Sequence, residues 1–174
     1  GKEVAITEPS GNLYNERQKV KVSLSKVLEQ NELFGIGTNG ELKNISFGLY
    51  AAEEIVSVSG TSIPADGLLE IIALNEDGTA TVKTDLPLGS YYVKELATNS
   101  AYILNGQKYS VAFEYAGQET ATVHITANDG EAIENDIIYG SVSGKKSDED
   151  GNALGGAVIG IFKTGTEKFT TENA

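Results

Sequence analysis

The chain has no cysteine, no methionine and one histidine. Without cysteine there is no disulfide and no thiolate metal site. A lone histidine, His124, is weak ground for a metal centre or a proton relay, and no metal or cofactor site is expected. Basic residues are scarce too: 13 Lys and Arg stand against 25 Asp and Glu, a net charge of -12. That balance disfavours nucleic acid and anionic membrane surfaces, which reward clustered Lys and Arg. No signal peptide and no long apolar run occur, so a secretion signal or anchor is expected outside this sequence, and no membrane contact within it. The leading Gly1 reads as the start of an excised piece. What remains is a chain of 174 residues with 40% hydrophobic content, enough for one packed domain and part of another.

No long segment of helical period is present either. The clearest period is two. In residues 19–29, Val20, Val22, Leu24, Lys26 and Leu28 alternate with Lys21, Ser23, Ser25 and Val27, the signature of a strand with one buried face. Further candidate strands are 4–7, 45–51, 68–74, 79–84, 91–96, 109–115, 120–126 and 133–138. Asp66-Gly67, Asp77-Gly78, Leu88-Gly89, Asn105-Gly106 and Asp129-Gly130 supply turns between them. Short strands at this spacing predict an all-β sandwich or barrel. Residues 51–56 read as a short helical turn, 31–43 as a loop or hairpin insertion, and 1–18 as an added strand or lead-in peptide.

Three expected strands each set one polar residue on an apolar face. Lys26 sits with Leu24, Glu95 with Tyr91 and Val93, and Asn135 with Ile133, Ile137 and Tyr139. Burying an unpaired polar group costs of order 2–7 kcal/mol, so burying three is reasonable if they meet. The plainer alternatives are a lysine that snorkels to solvent and a buried Lys–Glu ion pair.

Residues 42–50 and 154–162 are internal repeats. Each follows a strand carrying a lysine, Lys26 or Lys146. The chain therefore reads as a complete module, 1–139, and the truncated start of a second, 140–174, cut from a tandem array.

The stretches VSLSKV, FGLY, DLPLGSYYVKE and ENDIIYGSV resemble the collagen-adhesin B-type (CnaB-like, SpaA-type pilin) domain of Gram-positive surface proteins. The likeness runs from about Val20 to Tyr139 and restarts at Gly140. It implies a two-sheet β-sandwich of reversed Ig-like, prealbumin-like Greek-key topology. It also implies a spontaneous Lys–Asn isopeptide bond between Lys26 and Asn135, promoted by Glu95. Lys146, with no Glu or Asn partner in the second unit, is expected to stay unreacted. Two departures stand out: Lys26 to Leu42 spans 42 − 26 = 16 residues against 154 − 146 = 8 for Lys146 to Leu154, and Ala97-Thr98 replaces the usual Ala-Pro.

The residue types suit that chemistry. Burial favours the neutral, nucleophilic amine and the protonated carboxyl. The carboxyl can polarise the asparagine carbonyl and relay protons as ammonia leaves. Tyr91, Val93, Leu24 and Ile137 would keep the site dry.

The expected function is a stalk or spacer module of a cell-wall adhesin or pilin, extracellular, without turnover, whose partners are adjacent modules of the same chain. The first rival is an adhesin domain that binds host protein or glycan through loops 31–43 and 56–66. The second is an accessory domain of an enzyme lying outside the sequence. Ser23 with Lys26 matches S-x-x-K and 163–165 matches K-T-G, but on a strand Ser23 and Lys26 face opposite ways. The acidic run 148–152 lacks the closing glutamate of a calcium loop and reads as a turn.

Overall fold

Alternation in the first strand is realised residue by residue. In β1 (Lys19–Leu28), Val22, Leu24 and Lys26 are buried while Lys19, Lys21 and Val27 are exposed. The computed structural model describes residues 17–56, 60–162 and 164–172. The expected strand 4–7, most of the lead-in peptide and Lys163 lie outside them. The chain divides into two units, Gly1–Ile138 and Tyr139–Ala174.

In the first unit β1 is followed by β2 (Ser46–Ala51), β3 (Ile55–Val56), β4 (Ser62–Ile63), β5 (Leu68–Ala73) and β6 (Thr79–Thr81). Then come β7 (Gly89–Ala97), β8 (Lys108–Phe113), β9 (Thr122–Thr126) and β10 (Ile133–Asn135). One sheet runs β5-β2-β7-β8, antiparallel throughout. The other is centred on β1. It pairs antiparallel with β6 on one edge, and parallel with β9 and then β10 along the opposite edge. The first β-strand is thus flanked by the last two. Between the sheets lie Val22, Leu24, Phe47, Leu49, Ile72, Tyr91, Val93, Val111, Phe113 and Ile133, all buried. Each comes from alternate positions of its strand, as two-sheet packing requires.

Several boundaries differ from the sequence reading, each for a visible reason. Residues 51–56 are not helical: Ile55 pairs with Ile63 in a two-stranded ribbon, β3-β4, too short to leave a periodic signal. The strand expected at 79–84 stops at Thr81, because the Lys83 and Thr84 amides donate to the Glu70 carboxylate, Thr84 at 2.7 Å. The strand expected at 133–138 leaves β1 after Asn135. There the Ile137 amide donates to the Glu29 carboxylate at 2.7 Å, and residues 136–138 bond to 101–103 instead. Tyr139, expected on the inner face, is exposed.

The second unit has no strand among its described residues. A single bridge joins Ser147 to Ala153 around a turn whose Asp148 carboxylate accepts from the Asp150 and Asn152 amides. The acidic run is therefore the expected turn. Neither the expected strand carrying Lys146 nor the apolar stretch of the repeat at 154–162 forms a ladder, and Val158 is 90% exposed; an extended segment forms a ladder only when a neighbour supplies the opposing amides and carbonyls.

The turn before β6 sits against β1. Gly78 has φ +81, and a Cβ there would lie 2.4 Å from the Lys26 carbonyl oxygen. Its own carbonyl accepts from the Lys26 amide at 2.9 Å. Gly78→Ala is expected to cost ~1–3 kcal/mol through left-handed backbone strain and that close approach. Thermal melting checks this, and an unchanged melting temperature would contradict the packing of the turn on β1.

Candidate functional site

Among the described residues, three polar side chains are buried: Lys26, Glu95 and Asn135, each at most 2% exposed. They are the three that the alternation singled out. Lys26 lies in β1 and Asn135 in β10, paired strands of one sheet; Glu95 lies in β7, in the middle of the other. The register sets Lys26 opposite Ile133 and Leu28 opposite Asn135. Lys26 and Asn135 are thus diagonal neighbours on one face, a separation that long side chains span. Leu24, Tyr91, Val93, Ile133 and Ile137 are buried as well, so the polar groups sit at the edge of the apolar core.

The amide of Asn135 is held on one side only. Its Nδ2 donates to both carboxylate oxygens of Glu95 at 2.9 Å and to the Thr98 hydroxyl at 2.9 Å. Its Oδ1 is buried without a hydrogen-bond partner. Glu95 Oε2 also accepts from the Asn105 amide at 2.7 Å, and Asn105 Nδ2 donates to the Tyr109 hydroxyl and the Glu134 carbonyl. Lys26 Nζ donates to the carbonyls of Val27 at 2.6 Å and Ile133 at 2.9 Å.

Burial lowers the Lys26 pKa from 10.5 to about 8, against the opposing pull of the Glu95, Glu134 and Asp136 charges. Desolvation disfavours the ammonium form. The site therefore combines a buried amine whose ammonium form is disfavoured, a buried carboxyl from the opposite sheet, and a carboxamide held by that carboxyl. Those are the components of acyl transfer to nitrogen.

Thr98, Asn105 and Tyr109 were not picked out from the sequence. Strict alternation places Thr98 on the opposite face from Glu95, three positions away; β7 ends at Ala97, and beyond it the alternation no longer applies. Asn105 reaches Glu95 through its backbone amide, which leaves no compositional signal. Lys146 is exposed in the second unit, its Nζ 3.3 Å from the Ser147 carbonyl. His124 is exposed on β9, and the Ser23 hydroxyl meets that of Thr126 at 3.3 Å on the face opposite Lys26. In loop 31–43 the Glu41 carboxylate accepts from the Gly37 and Asn39 amides, and Leu33 and Phe34 are exposed.

No curated protein matches the chain. Among solved structures it is similar to the Bacillus anthracis TIE protein, at 16% identity and TM-score 0.46 over 82% of this chain and 25% of that one. It is also similar to the group B streptococcus pilus 2b backbone protein, at 18% and 0.45 over 78% and 46%. A third is GBS52, the minor pilin of Streptococcus agalactiae, at 20% and 0.44 over 74% and 49%. The chain thus spans a quarter to a half of the length of these structures. Residues 32–131 match the family described as SpaA, prealbumin-like fold domain. That match takes in more than half of the 174 residues and β2 to β9 of the sandwich, and the chain belongs to this family.

Proposed function

We propose that the chain is a structural module of a Gram-positive surface pilin or adhesin, extracellular, carrying tension between neighbouring modules. It turns over no external substrate. Its one reaction is internal, an isopeptide bond between Lys26 and Asn135 promoted by Glu95. The observation that carries this reading is the burial of three polar groups from β1, β7 and β10 in one core, with Asn135 bonded to Glu95 and Lys26 within range of the Glu95 charge.

The chemistry balances without a cofactor. The Lys26 ammonium gives one proton to Glu95, and the neutral Nζ attacks Cγ of Asn135. The carbonyl electron pair moves to oxygen. A second proton passes from Nζ to Nδ2; the Cγ–Nδ2 bond breaks and ammonia leaves. One hydrogen stays on the new amide. Fixed geometry stands in for a slow bimolecular exchange.

The topology gives the bond a purpose. Because β1 and β10 are parallel, the chain enters β1 at one end of the pair and leaves β10 at the other. A pull on the two ends therefore shears the pair. A bond from Lys26 to Asn135 would pass the force across directly and spare the 108 residues between them (134 − 26). By analogy with a disulfide, closing a loop of about 100 residues is worth roughly 4–5 kcal/mol. The second unit, with its repeat of residues 42–50 and its unpaired apolar segment, fits the beginning of a following module. A ligand-binding role is the second reading. The exposed Leu33 and Phe34 at the tip of loop 31–43 favour it, and a host protein or glycan would be the partner.

Intact mass spectrometry tests the bond. Wild type is expected one ammonia below its calculated mass, and Lys26→Ala and Glu95→Ala at their full calculated masses, with lower melting temperatures and faster tryptic cleavage. A wild-type mass equal to the calculated value leaves Lys26, Glu95 and Asn135 as an ordinary buried polar cluster.

The titration of Lys26 supplies an independent check. In Asn135→Ala, Lys26 remains an amine with a folded-state pKa of about 8 against 10.5 when unfolded. Between those values the unfolded chain binds more protons, so stability rises with pH. Lys26 thus penalises this variant most below its folded pKa, and the penalty fades as pH climbs. In cross-linked wild type Lys26 is an amide and does not titrate. Melting temperatures measured from about pH 7 to pH 9.5 should climb in the variant relative to wild type; parallel curves would contradict it.

A further inference from the structure

We infer that Thr98 is a further catalytic residue of the cross-linking step, the second hydrogen-bond donor to the oxygen of the tetrahedral intermediate. The inference rests on the isopeptide reading above and goes beyond it in assigning a role to a residue outside the Lys–Glu–Asn set.

The argument begins with the Asn135 amide. Its Nδ2 is gripped by Glu95 and Thr98 together, and its Oδ1 is buried with no partner. Such an orphan is costly in a finished structure. The pattern fits the state in which Glu95 is ionised and accepts. Once Glu95 has taken the Lys26 proton it becomes a donor, and the preferred amide orientation reverses. Turned end for end, the amide puts its oxygen between two O–H donors, the Glu95 carboxyl and the Thr98 hydroxyl. Its NH2 group then occupies the unpartnered position, and that group departs as ammonia, so the orphan exists only until the reaction is complete.

Thr98 suits the role in position and chemistry. Its side chain is half-buried just past the end of β7, three residues from Glu95, and its Oγ1 lies 2.9 Å from the Asn135 amide. A hydroxyl can accept from the amide before proton transfer and donate to the oxyanion after it, whereas proline at this position could do neither. When the Cγ–O bond takes up the electron pair, the negative charge of the turned amide develops between two O–H donors in a largely buried site, the arrangement that most strongly stabilises such an oxyanion. Thr98 is neither acid nor base in the balance: its proton stays on Oγ1 throughout.

The test follows the reaction in time. Wild type, Thr98→Val and Thr98→Ser are synthesised by translation in vitro, quenched in acid at intervals and weighed intact. Loss of one donor of this kind slows reaction by of order 10²-fold. Thr98→Val, which keeps the shape and loses the hydroxyl, should lose ammonia about that much more slowly than wild type. Thr98→Ser, which keeps the hydroxyl and loses the methyl, should stay within a few-fold of wild type. Equal rates for wild type and Thr98→Val would overturn the assignment while leaving the isopeptide reading intact. Equal slowing in Thr98→Val and Thr98→Ser would also overturn it, since packing and not the hydroxyl would then be at issue. A wild type that never loses ammonia would overturn both.

Discussion

Everything in the first unit is arranged around a desolvated amine facing a carboxyl across the sandwich. Lys26 comes from the β1 sheet and Glu95 from the opposite one, and neither has access to water. An isolated charge in such a place is untenable, and a lone neutral polar group still costs several kcal/mol. The fold tolerates the pair because Asn135, the Asn105 amide and the carbonyls of Val27 and Ile133 surround it with hydrogen bonds. Remove one member and the others are stranded, which is why a site of this kind is expensive as a mere ion pair. Converting the amine and the carboxamide to one amide removes the ionisable lysine from the interior altogether.

The same placement explains the topology of the β1 sheet. The first strand lies beside the last two, parallel to both, and β9 and β10 follow one another along a single edge. The irregular turn Ala127–Gly130 between them carries left-handed Asn128 and Asp129, and it lets the chain shift register so that Asn135 arrives beside the end of β1. Beyond Asn135 the chain is held twice more, by the Glu29 carboxylate on the Ile137 amide and by the pairing of Tyr102 with Ile137. Noncovalent attachments thus cluster around the proposed bond at the point where the chain leaves the sandwich.

Much of this was legible in the sequence. A polar residue on the apolar face of a strand is visible from period two alone, and Lys26, Glu95 and Asn135 each stood out that way. An all-β sandwich or barrel followed from alternation and turn residues, and the family resemblance pointed to the sandwich. The chain pairings did not: nothing local says that β1 takes β9 and β10 on one edge and β6 on the other, because register and neighbour choice are set by packing across the whole unit. Strand ends were misjudged where side chains intercept backbone amides, as Glu70 does at residues 83 and 84 and Glu29 does at residue 137. Thr98 was invisible as a partner of Asn135 because its contribution depends on where β7 stops. In the second unit the pattern of strands is present in the sequence, and the neighbours that would turn pattern into ladder are not among its described residues.

The most direct measurement of the central claim is mechanical. The chain, held by handles at its two ends, is stretched while its length is recorded. With Lys26 joined to Asn135, the sandwich should hold to the highest forces applied, and residues 27–134 should add nothing to the extension. Lys26→Ala should instead open in a step as those 108 residues (134 − 26) pay out, roughly 350–400 Å of contour at the reach of an extended chain. A wild type that opens with the same step would contradict the claim that force crosses from the first strand to the last through a covalent bond.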